Sequence, residues 1–279
     1  MKTIGLFMAV ALFACGNKKS AEKQEKPEPV ATGSAQGSAA PEPIPPYTPA
    51  ADVPQPIKDA IAATDRTDAD RRLDAGRKPG EVLAFFGIAP GQHVGELFAG
   101  GGYTTELIAR IVGDKGHVWT ENPKEAMDKF LRKPWSERAT HAAMKNVTMS
   151  ELPPDAPFPP DAKNLDAVIT ILNYHDVVNA KSDRAKMNKA VFDALKSGGI
   201  YGIVDSSAAK GSGLRDTETL HRIDEDVVTE EVLSAGFILG RETDVLSNPA
   251  DTRDWSSSPH AAGARRGTSD RFVMLFVKP

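Results

Sequence analysis

The segment from His93 to Leu107 constrains the fold of this chain more than any other part of the sequence. It has the pattern of a short apolar strand, a turn of three consecutive glycines (Gly100–Gly102) and the start of a helix. A second apolar run follows and ends in the acid Glu121, twenty-one residues after Gly100. Nucleotide-binding α/β sheets begin in this way, because the glycines let the backbone approach the ligand and the acid can accept both hydroxyls of a ribose. The segment therefore predicts a cofactor that carries a nucleoside.

The rest of the sequence continues the alternation of strands and helices. The strongest strand pattern is Leu165–Leu172, whose nearly continuous apolar content is typical of a central parallel strand that is covered on both faces. Residues 123–145 have the pattern of a helix broken by Pro134. Two apolar runs close the chain, at 237–241 and 272–277. We therefore expect an α/β fold with a doubly wound, mostly parallel seven-stranded sheet and an antiparallel terminal strand pair.

The N-terminal residues have the pattern of an export signal. Lys2 is followed by an apolar run up to Ala14, which is too short to cross a bilayer as a helix. The sequence Leu12-Phe13-Ala14-Cys15 resembles a bacterial lipobox, in which cleavage before the cysteine is coupled to lipid attachment at its sulfur. We expect residues 1–14 to be a lipoprotein signal peptide and Cys15 to be lipidated. The alternative is an ordinary secretory signal with an incidental cysteine.

Composition changes after Cys15, which is the only cysteine. Residues 15–54 are rich in Lys and Glu and then in Ala, Gly, Ser and Pro, so they predict a disordered tether, with the folded domain at 55–279. The net charge of −4 gives no reason to expect a nucleic-acid partner. We expect a monomer that is exported, faces the periplasm and is held at the membrane by its lipid anchor alone.

Over residues 55–279 these features resemble the class I S-adenosylmethionine-dependent methyltransferases, and more narrowly a group of exported bacterial predicted methyltransferases. The resemblance implies a Rossmann-like methyltransferase fold and S-adenosylmethionine as the cofactor. Phe98 departs from the pattern, since it replaces the first of the usual three glycines and can narrow the approach to the cofactor. The residues that we assign to cofactor binding are Glu96, Phe98, Gly100, Gly102, Tyr103, Glu121, Glu151 and Asn173.

Methyl transfer from a sulfonium is an in-line displacement, so the protein must align the reactants, exclude water and remove a proton where the acceptor carries one. Asn173-Tyr174-His175-Asp176 follows the predicted fourth strand, at the edge where open α/β sheets bind ligands. His175 is the candidate general base, because a histidine titrates near neutral pH. Asp176 is a candidate for orienting a partner or contacting substrate. The alternative is that His175 caps the strand and bonds to backbone.

Other charged residues have two interpretations each. His221 and Asp224 are three residues apart, so we expect them to share one helical face, either as part of the substrate pocket with His221 in a catalytic role or as a structural pair. Arg77 and Lys78 can hold an anionic substrate or form a solvated surface. The six histidines have no ligand-like spacing with one another or with a cysteine, so we expect no metal site.

The methyl acceptor is expected to be a small molecule or a cell-envelope component, and no acceptor motif is visible. Two other functions stay open. One is a nicotinamide-dependent oxidoreductase, although its third loop glycine would fall at Thr105. The other is a non-catalytic binding lipoprotein that kept the fold without the chemistry. The predicted export favours this alternative, because S-adenosylmethionine is made in the cytoplasm.

Overall fold

The computed structural model describes residues 44–279 of the chain. The predicted signal peptide at 1–14, the lipidation site Cys15 and most of the predicted tether lie outside the described residues. Within 44–279, none of the helices combines the length and the apolar character that a membrane span requires.

The described residues form one seven-stranded sheet with the order β3-β2-β1-β4-β5-β7-β6. Its strands are β1 (His93–Leu97), β2 (His117–Glu121), β3 (Val147–Ser150), β4 (Leu165–Ile171), β5 (Leu195–Ser206), β6 (Ile238–Thr243) and β7 (Arg271–Val277). The five strands from β1 to β5 pair in parallel, and β7 runs antiparallel to both β5 and β6. The predicted doubly wound sheet with an antiparallel terminal pair is confirmed.

Helices cover both faces of the sheet. They are α1 (Gln55–Ala62), α2 (Asp68–Arg77), α3 (Pro79–Phe85), α4 (Tyr103–Val112), α5 (Lys124–Ala126), α6 (Arg132–Arg138), α7 (Tyr174–Asn179), α8 (Arg184–Ala194), α9 (Thr217–Leu220) and α10 (Glu225–Ser234). Successive residues of β4 point to opposite faces, so Ala167 and Ile169 pack with α1, α3 and α4, whereas Val168 packs with α7, α8 and α10. This is why the central strands are apolar throughout.

The helical segment after β2 differs from the prediction of a break at Pro134. Helical structure continues from Lys124 through a π-helical turn at Met127–Leu131 into α6, and it ends at Arg138. Pro134 lies in the first turn of α6, directly after the wide π turn. Because proline is tolerated in a first turn, the helix passes through this residue without a break.

The ordered domain begins before the predicted boundary at residue 55. The Tyr47 hydroxyl donates to Glu81 at 2.6 Å and accepts the Gly80 backbone N–H at 2.8 Å. Val53 is a buried member of the core that contains α1. The last residues assigned to the tether therefore pack on the domain.

The charged segment Asp68–Arg77 forms the helix α2. Thr67 caps it by accepting the Asp70 backbone N–H at 3.1 Å. Arg66 pairs with Asp74 at 2.8 Å, and both side chains are buried. Asp70 and Asp74 of this helix thus form internal ion pairs, with Arg138 and Arg66, rather than a solvated face.

Candidate functional site

The glycine loop, Phe98–Gly102, joins β1 to α4 and is fixed to the end of β2. Ala99 donates its backbone N–H to the Glu121 carbonyl at 3.1 Å. The Asn122 side chain accepts the Gly100 N–H at 2.8 Å and donates to the Gly100 carbonyl at 3.1 Å. Sequence reasoning missed Asn122, and its position directly after the predicted acid was the available signal.

Phe98 keeps the backbone shape of the glycine that it replaces. Its φ is 54°, in the left-handed region that glycine adopts without strain and a phenylalanine does not. The side chain packs against the core formed by α7, α8 and α10. The loop is therefore formed in the presence of Phe98, and the expected narrowing of the cofactor approach stays a prediction.

The two predicted loop glycines have different surroundings. A Cβ at Gly100 would meet no atom within 4 Å, whereas one at Gly102 would lie 2.6 Å from Cδ of Arg138 and 3.1 Å from the Trp135 ring. Both have a positive φ, 57° and 79°. Gly102 is thus required by the helix α6 that covers it, and Gly100 faces open space.

Glu121, at the end of β2, is fully buried and only half satisfied. Its Oε2 accepts the Phe98 backbone N–H at 3.2 Å. Its Oε1 is buried without a hydrogen-bond partner among the described residues. Burial raises the pKa of this carboxyl to about 8. Since a buried polar atom without a partner is costly, this position calls for a hydrogen-bond partner that the described residues do not supply.

Glu96 and Tyr103 lie beneath and beside the loop in internal contacts. Glu96 is buried and accepts the Thr105 hydroxyl, which joins β1 to α4. Burial raises the pKa of Glu96 to about 7. The Tyr103 hydroxyl donates to Asp74 at 2.6 Å, and its ring lies under the Arg77 guanidinium at 4.5 Å. Their predicted contacts with a cofactor stay predictions.

The remaining two predicted cofactor residues are also engaged. Glu151 follows β3 and forms an ion pair with Arg132, which lowers the pKa of the Glu151 carboxyl. Asn173 donates its side-chain N–H groups to the carbonyls of Phe98, at 3.0 Å, and Ile171, at 2.7 Å. Asn173 therefore joins the end of β4 to the glycine loop, and Glu151 lies at the edge of the sheet.

The three predicted catalytic residues lie together, with a fourth residue behind them. We call His175, Asp176, Asp205 and His221 the histidine cluster. His175 is the second residue of α7. Its Nδ1 is 2.8 Å from Oδ1 of the fully buried Asp205. Its backbone N–H donates to the other Asp205 oxygen at 2.9 Å. His175 Nε2 is 3.3 Å from His221 Nδ1 and 3.4 Å from Oδ1 of Asp176.

The two histidines have opposite electrostatic surroundings. Burial of the His175 ring disfavours its charged form, but the Asp205 carboxylate outweighs this effect and raises the pKa of His175. Burial lowers the pKa of His221, and the charge on His175 lowers it further. The cluster therefore favours protonation of one ring at a time.

The expected pairing of His221 with Asp224 on one helical face is wrong. His221 ends the short helix α9 in a left-handed conformation, and Asp224 caps the next helix, α10, by accepting the Asp226 N–H at 3.3 Å. Asp224 also accepts the Gly213 N–H at 3.1 Å. The two residues therefore belong to the ends of different helices, and the His221 ring contacts His175.

Two arginines, Arg77 and Arg271, line a small and mostly apolar cavity next to the glycine loop. Neither arginine has an ion-pair partner among the described residues. Arg77 lies over the Tyr103 ring at 4.5 Å, and Arg271 donates to the Ser269 hydroxyl at 3.0 Å and to the Gly76 carbonyl at 2.6 Å. Burial and the charge of Arg77 lower the pKa of Arg271 to about 10. Lys78, by contrast, is exposed and donates to the Val245 carbonyl at 2.7 Å. Arg271 therefore lies beside Arg77, where the sequence predicted an anion site, and anion binding stays a prediction.

No family model matches the chain, and no curated protein matches it in sequence. Solved structures do match. An S-adenosylmethionine-dependent methyltransferase from Aquifex aeolicus superposes with a TM-score of 0.53 at 19% identity, over 72% of this chain and 89% of that one. The chain has the Rossmann-like methyltransferase fold.

Two further similar structures show how varied this fold is. A provisionally named sarcosine dimethylglycine methyltransferase from Galdieria sulphuraria gives a TM-score of 0.53 at 15% identity, over 81% of this chain and 91% of that one. The [4+2]-cyclase SpnF gives 0.54 at 14% identity, over 80% of this chain and 92% of that one. Because a cyclase stands among them, the fold alone does not decide the reaction, and the site residues must carry the functional argument.

Proposed function

We propose that this protein is a class I S-adenosylmethionine-dependent methyltransferase that acts on a small molecule or a cell-envelope component. The observation that carries the proposal is the unpartnered Oε1 of Glu121, a buried carboxylate oxygen at the end of β2. A ribose hydroxyl is a donor that would satisfy it. The open space at Gly100 adds room for a ligand against the loop backbone.

The residues fit the cofactor in their chemistry. Glu121 would accept the ribose hydroxyls, and the glycine loop would leave space for the rest of the nucleoside. When bound, S-adenosylmethionine supplies a methyl group on a positively charged sulfur. The strand order, with β7 antiparallel between β5 and β6, also differs from the all-parallel dinucleotide-binding order and disfavours the nicotinamide alternative.

His175 is the residue that we propose to remove a proton from the acceptor. Asp205 accepts a hydrogen from Nδ1, so the neutral ring carries a lone pair on Nε2, directed towards Asp176 and His221. The fixed backbone N–H contact with Asp205 orients the ring. This is the arrangement of a base held in one tautomer by a buried carboxylate.

The acceptor that we propose is anionic. Arg77 and Arg271 line one cavity and have no ion-pair partner among the described residues. A bound carboxylate or phosphate would compensate for the hydration that the two guanidinium groups lose on burial. In the sheet, Arg271 pairs with Ser206, the last residue of β5 and the neighbour of Asp205, so this arginine lies at the carboxyl end of β5. Replacing Arg271 with Met is expected to weaken acceptor binding and leave cofactor binding unchanged.

We further propose that the protein is an exported monomer, anchored to the membrane by lipid on Cys15 and facing the periplasm, without a nucleic-acid partner. The test is fractionation of cells that express Cys15→Ser. Transfer of the protein from the membrane to the soluble fraction supports the anchor, and an unchanged membrane fraction contradicts it.

The function itself is tested by calorimetric titration of the full-length protein with S-adenosylmethionine and S-adenosylhomocysteine, with NAD as the control ligand. We expect micromolar binding of both sulfur compounds, none of NAD, and at least about tenfold weaker binding by Glu121→Gln, because a charge-assisted hydrogen bond is lost. A folded protein that binds neither sulfur compound would instead be the non-catalytic lipoprotein.

A further inference from the structure

Three ligand-type atoms of the histidine cluster lie at the mutual distances that a metal ion imposes. His175 Nε2, His221 Nδ1 and Asp176 Oδ1 are separated by 3.3 Å, 3.4 Å and 3.8 Å. Two ligands of a tetrahedral ion, each about 2.1 Å from it, are about 3.4 Å apart. We propose that His175, Asp176 and His221 bind a divalent transition-metal ion of the Zn²⁺ class. The proposal replaces the expectation of no metal site.

The second shell of this group supports the proposal. Metal-binding histidines commonly donate their other ring N–H to a carboxylate, which fixes the tautomer and leaves the opposite nitrogen free for the ion. Asp205 holds His175 in this way at 2.8 Å. Asp205 is itself fixed, because it also accepts the backbone N–H groups of Ser206, at 2.7 Å, and of His175.

The backbone around His221 places its ring on a rigid segment. The His221 carbonyl accepts the Ser257 hydroxyl at 2.6 Å. The next residue, Arg222, is fully buried and paired with Asp251 at 2.8 Å. A mobile surface histidine loses conformational entropy when it binds an ion, which weakens binding. The His221 ring is already held beside His175, so this loss is smaller.

The site is open on one side, and its ligands select the class of ion. The His221 and Asp176 side chains are 34% and 40% exposed, against 6% for His175, so an ion can enter and a fourth position remains for water or an acceptor atom. Two imidazoles favour Zn²⁺ and its neighbours over Mg²⁺ and Ca²⁺. Within residues 44–279, no other group of three His, Cys, Asp or Glu side chains is placed to hold an ion.

An ion at this position changes the role of His175. Its Nε2 would then be a ligand and not a base, and the ion would lower the pKa of a coordinated hydroxyl or thiol of the acceptor. This one consequence rests on the proposed methyl transfer. Metal binding itself does not, because it needs neither cofactor nor acceptor.

The test is calorimetric titration of the full-length protein with Zn²⁺ in the absence of cofactor. The protein carries Cys15→Ser and no histidine tag, so that neither a thiol nor a tag binds the ion, and it is first stripped with a chelator. We expect one ion per chain. Co²⁺ in the same site should give the visible absorption of a four- or five-coordinate ion, and millimolar Mg²⁺ should not displace Zn²⁺.

Three variants separate this site from adventitious binding. His221→Gln, at a half-exposed position, should weaken Zn²⁺ binding at least about tenfold, and Asp205→Asn about 10–100-fold through the second shell. His117→Gln, at a histidine that bonds to Thr148 in the sheet, is the matched control and should stay within about twofold of the parent. Thermal unfolding verifies that each variant is folded.

The proposal is overturned if the folded parent binds no Zn²⁺, or if His221→Gln binds as tightly as His117→Gln. In that case the 3.3 Å contact is a hydrogen bond between two imidazoles. Since the titration contains no S-adenosylmethionine, its failure leaves the proposed cofactor site untouched, and failure of the cofactor titration leaves the metal site untouched.

Discussion

Two buried carboxylates, Glu121 and Asp205, stand at the ends of different strands of one sheet, and they differ in how well they are satisfied. Asp205 accepts three hydrogen bonds, from the His175 ring and from two backbone N–H groups. Glu121 accepts one, and its second oxygen has no partner among the described residues. A carboxylate with a full set of hydrogen bonds fixes the orientation of its donors. A buried carboxylate that lacks a partner destabilises the free protein, and a ligand that donates a hydrogen bond removes this penalty.

The comparison divides the site into two halves with separate tasks. In the proposed function, the half around β1 and β2 receives the cofactor, because the described residues leave an acceptor unused at Glu121 and space open at Gly100. The half around β4 and β5 is built to hold the His175 ring in place. Substitutions in the two halves should therefore separate binding from turnover.

The largest expected effect is on turnover, in the half around β4 and β5. His175→Ala should lower methyl transfer by about 10²–10⁴-fold, because it removes the group that takes the acceptor proton or, with the proposed ion bound, one of the ligands of that ion, while cofactor affinity stays unchanged. Incorporation of labelled methyl groups from S-adenosylmethionine into a cell-envelope extract measures the first quantity, and calorimetry the second. His117→Ala, at the opposite end of the sheet, is the control. Equal activity of both variants would remove His175 from the mechanism.

The next largest effect is on stability, at the buried ion pair beside His221. Arg222→Met should reduce the free energy of unfolding by about 3–5 kcal/mol, because Asp251 is left charged and buried without its partner. Lys189→Met, on an exposed pair with Asp193, is the control and should leave the urea midpoint unchanged. A variant of Arg222 that unfolds like the control would show that this buried pair does not hold the segment before α10.

The buried Glu121 carboxyl should make the free energy of unfolding depend on pH. The folded pKa of Glu121 is about 8, above its ordinary value of 4.5, so its contribution to stability is complete below about pH 4.5 and is lost as pH rises through about 8. Glu121→Gln removes this loss. Relative to the variant, the wild type should lose on the order of 2–4 kcal/mol of unfolding free energy between pH 5 and pH 9.

Urea titrations at both pH values measure this difference. Glu151→Gln is the control, because the Glu151 carboxyl is paired with Arg132 and its pKa is shifted in the opposite direction. Parallel pH dependence in the wild type and Glu121→Gln would contradict the assignment of a raised pKa to Glu121.

The smallest expected effect tests the open space at Gly100. Gly100→Ala should cost about 1 kcal/mol of stability, because alanine is strained at a positive φ, and Gly87→Ala in an equally open turn should cost the same. Only Gly100→Ala should weaken S-adenosylhomocysteine binding, since its new methyl group occupies space that the protein leaves empty. Equal cofactor affinity of the two variants would place the ligand elsewhere.

The sequence predicts those parts of the site that are local in the chain. The glycine loop and Glu121 follow from one segment, because a strand, its turn and the next strand are set by nearby residues and short-range geometry. The apolar run of β4 likewise identified the central strand. Even Phe98 does not disturb this part, since it adopts the backbone conformation of the glycine that it replaces.

The histidine cluster could be predicted only in its parts. Asp205 and His221 are 30 and 46 residues away from His175 in the chain. Their meeting depends on the fold, because Asp205 lies at the end of β5 and His221 follows α9 in a left-handed conformation. Spacing along the sequence therefore suggested no metal-binding group, although the fold brings three ligand-type atoms together.

The proposed cofactor site depends most directly on Glu121, and one measurement tests this role. If the carboxyl is protonated in the free protein at pH 7 and ionised when it accepts ribose hydroxyls, S-adenosylhomocysteine binding must release a proton. Calorimetric titration at pH 7 in buffers of different ionisation enthalpy counts that proton. We expect release of close to one proton by the wild type and none by Glu121→Gln. Binding by the wild type without proton release would contradict it.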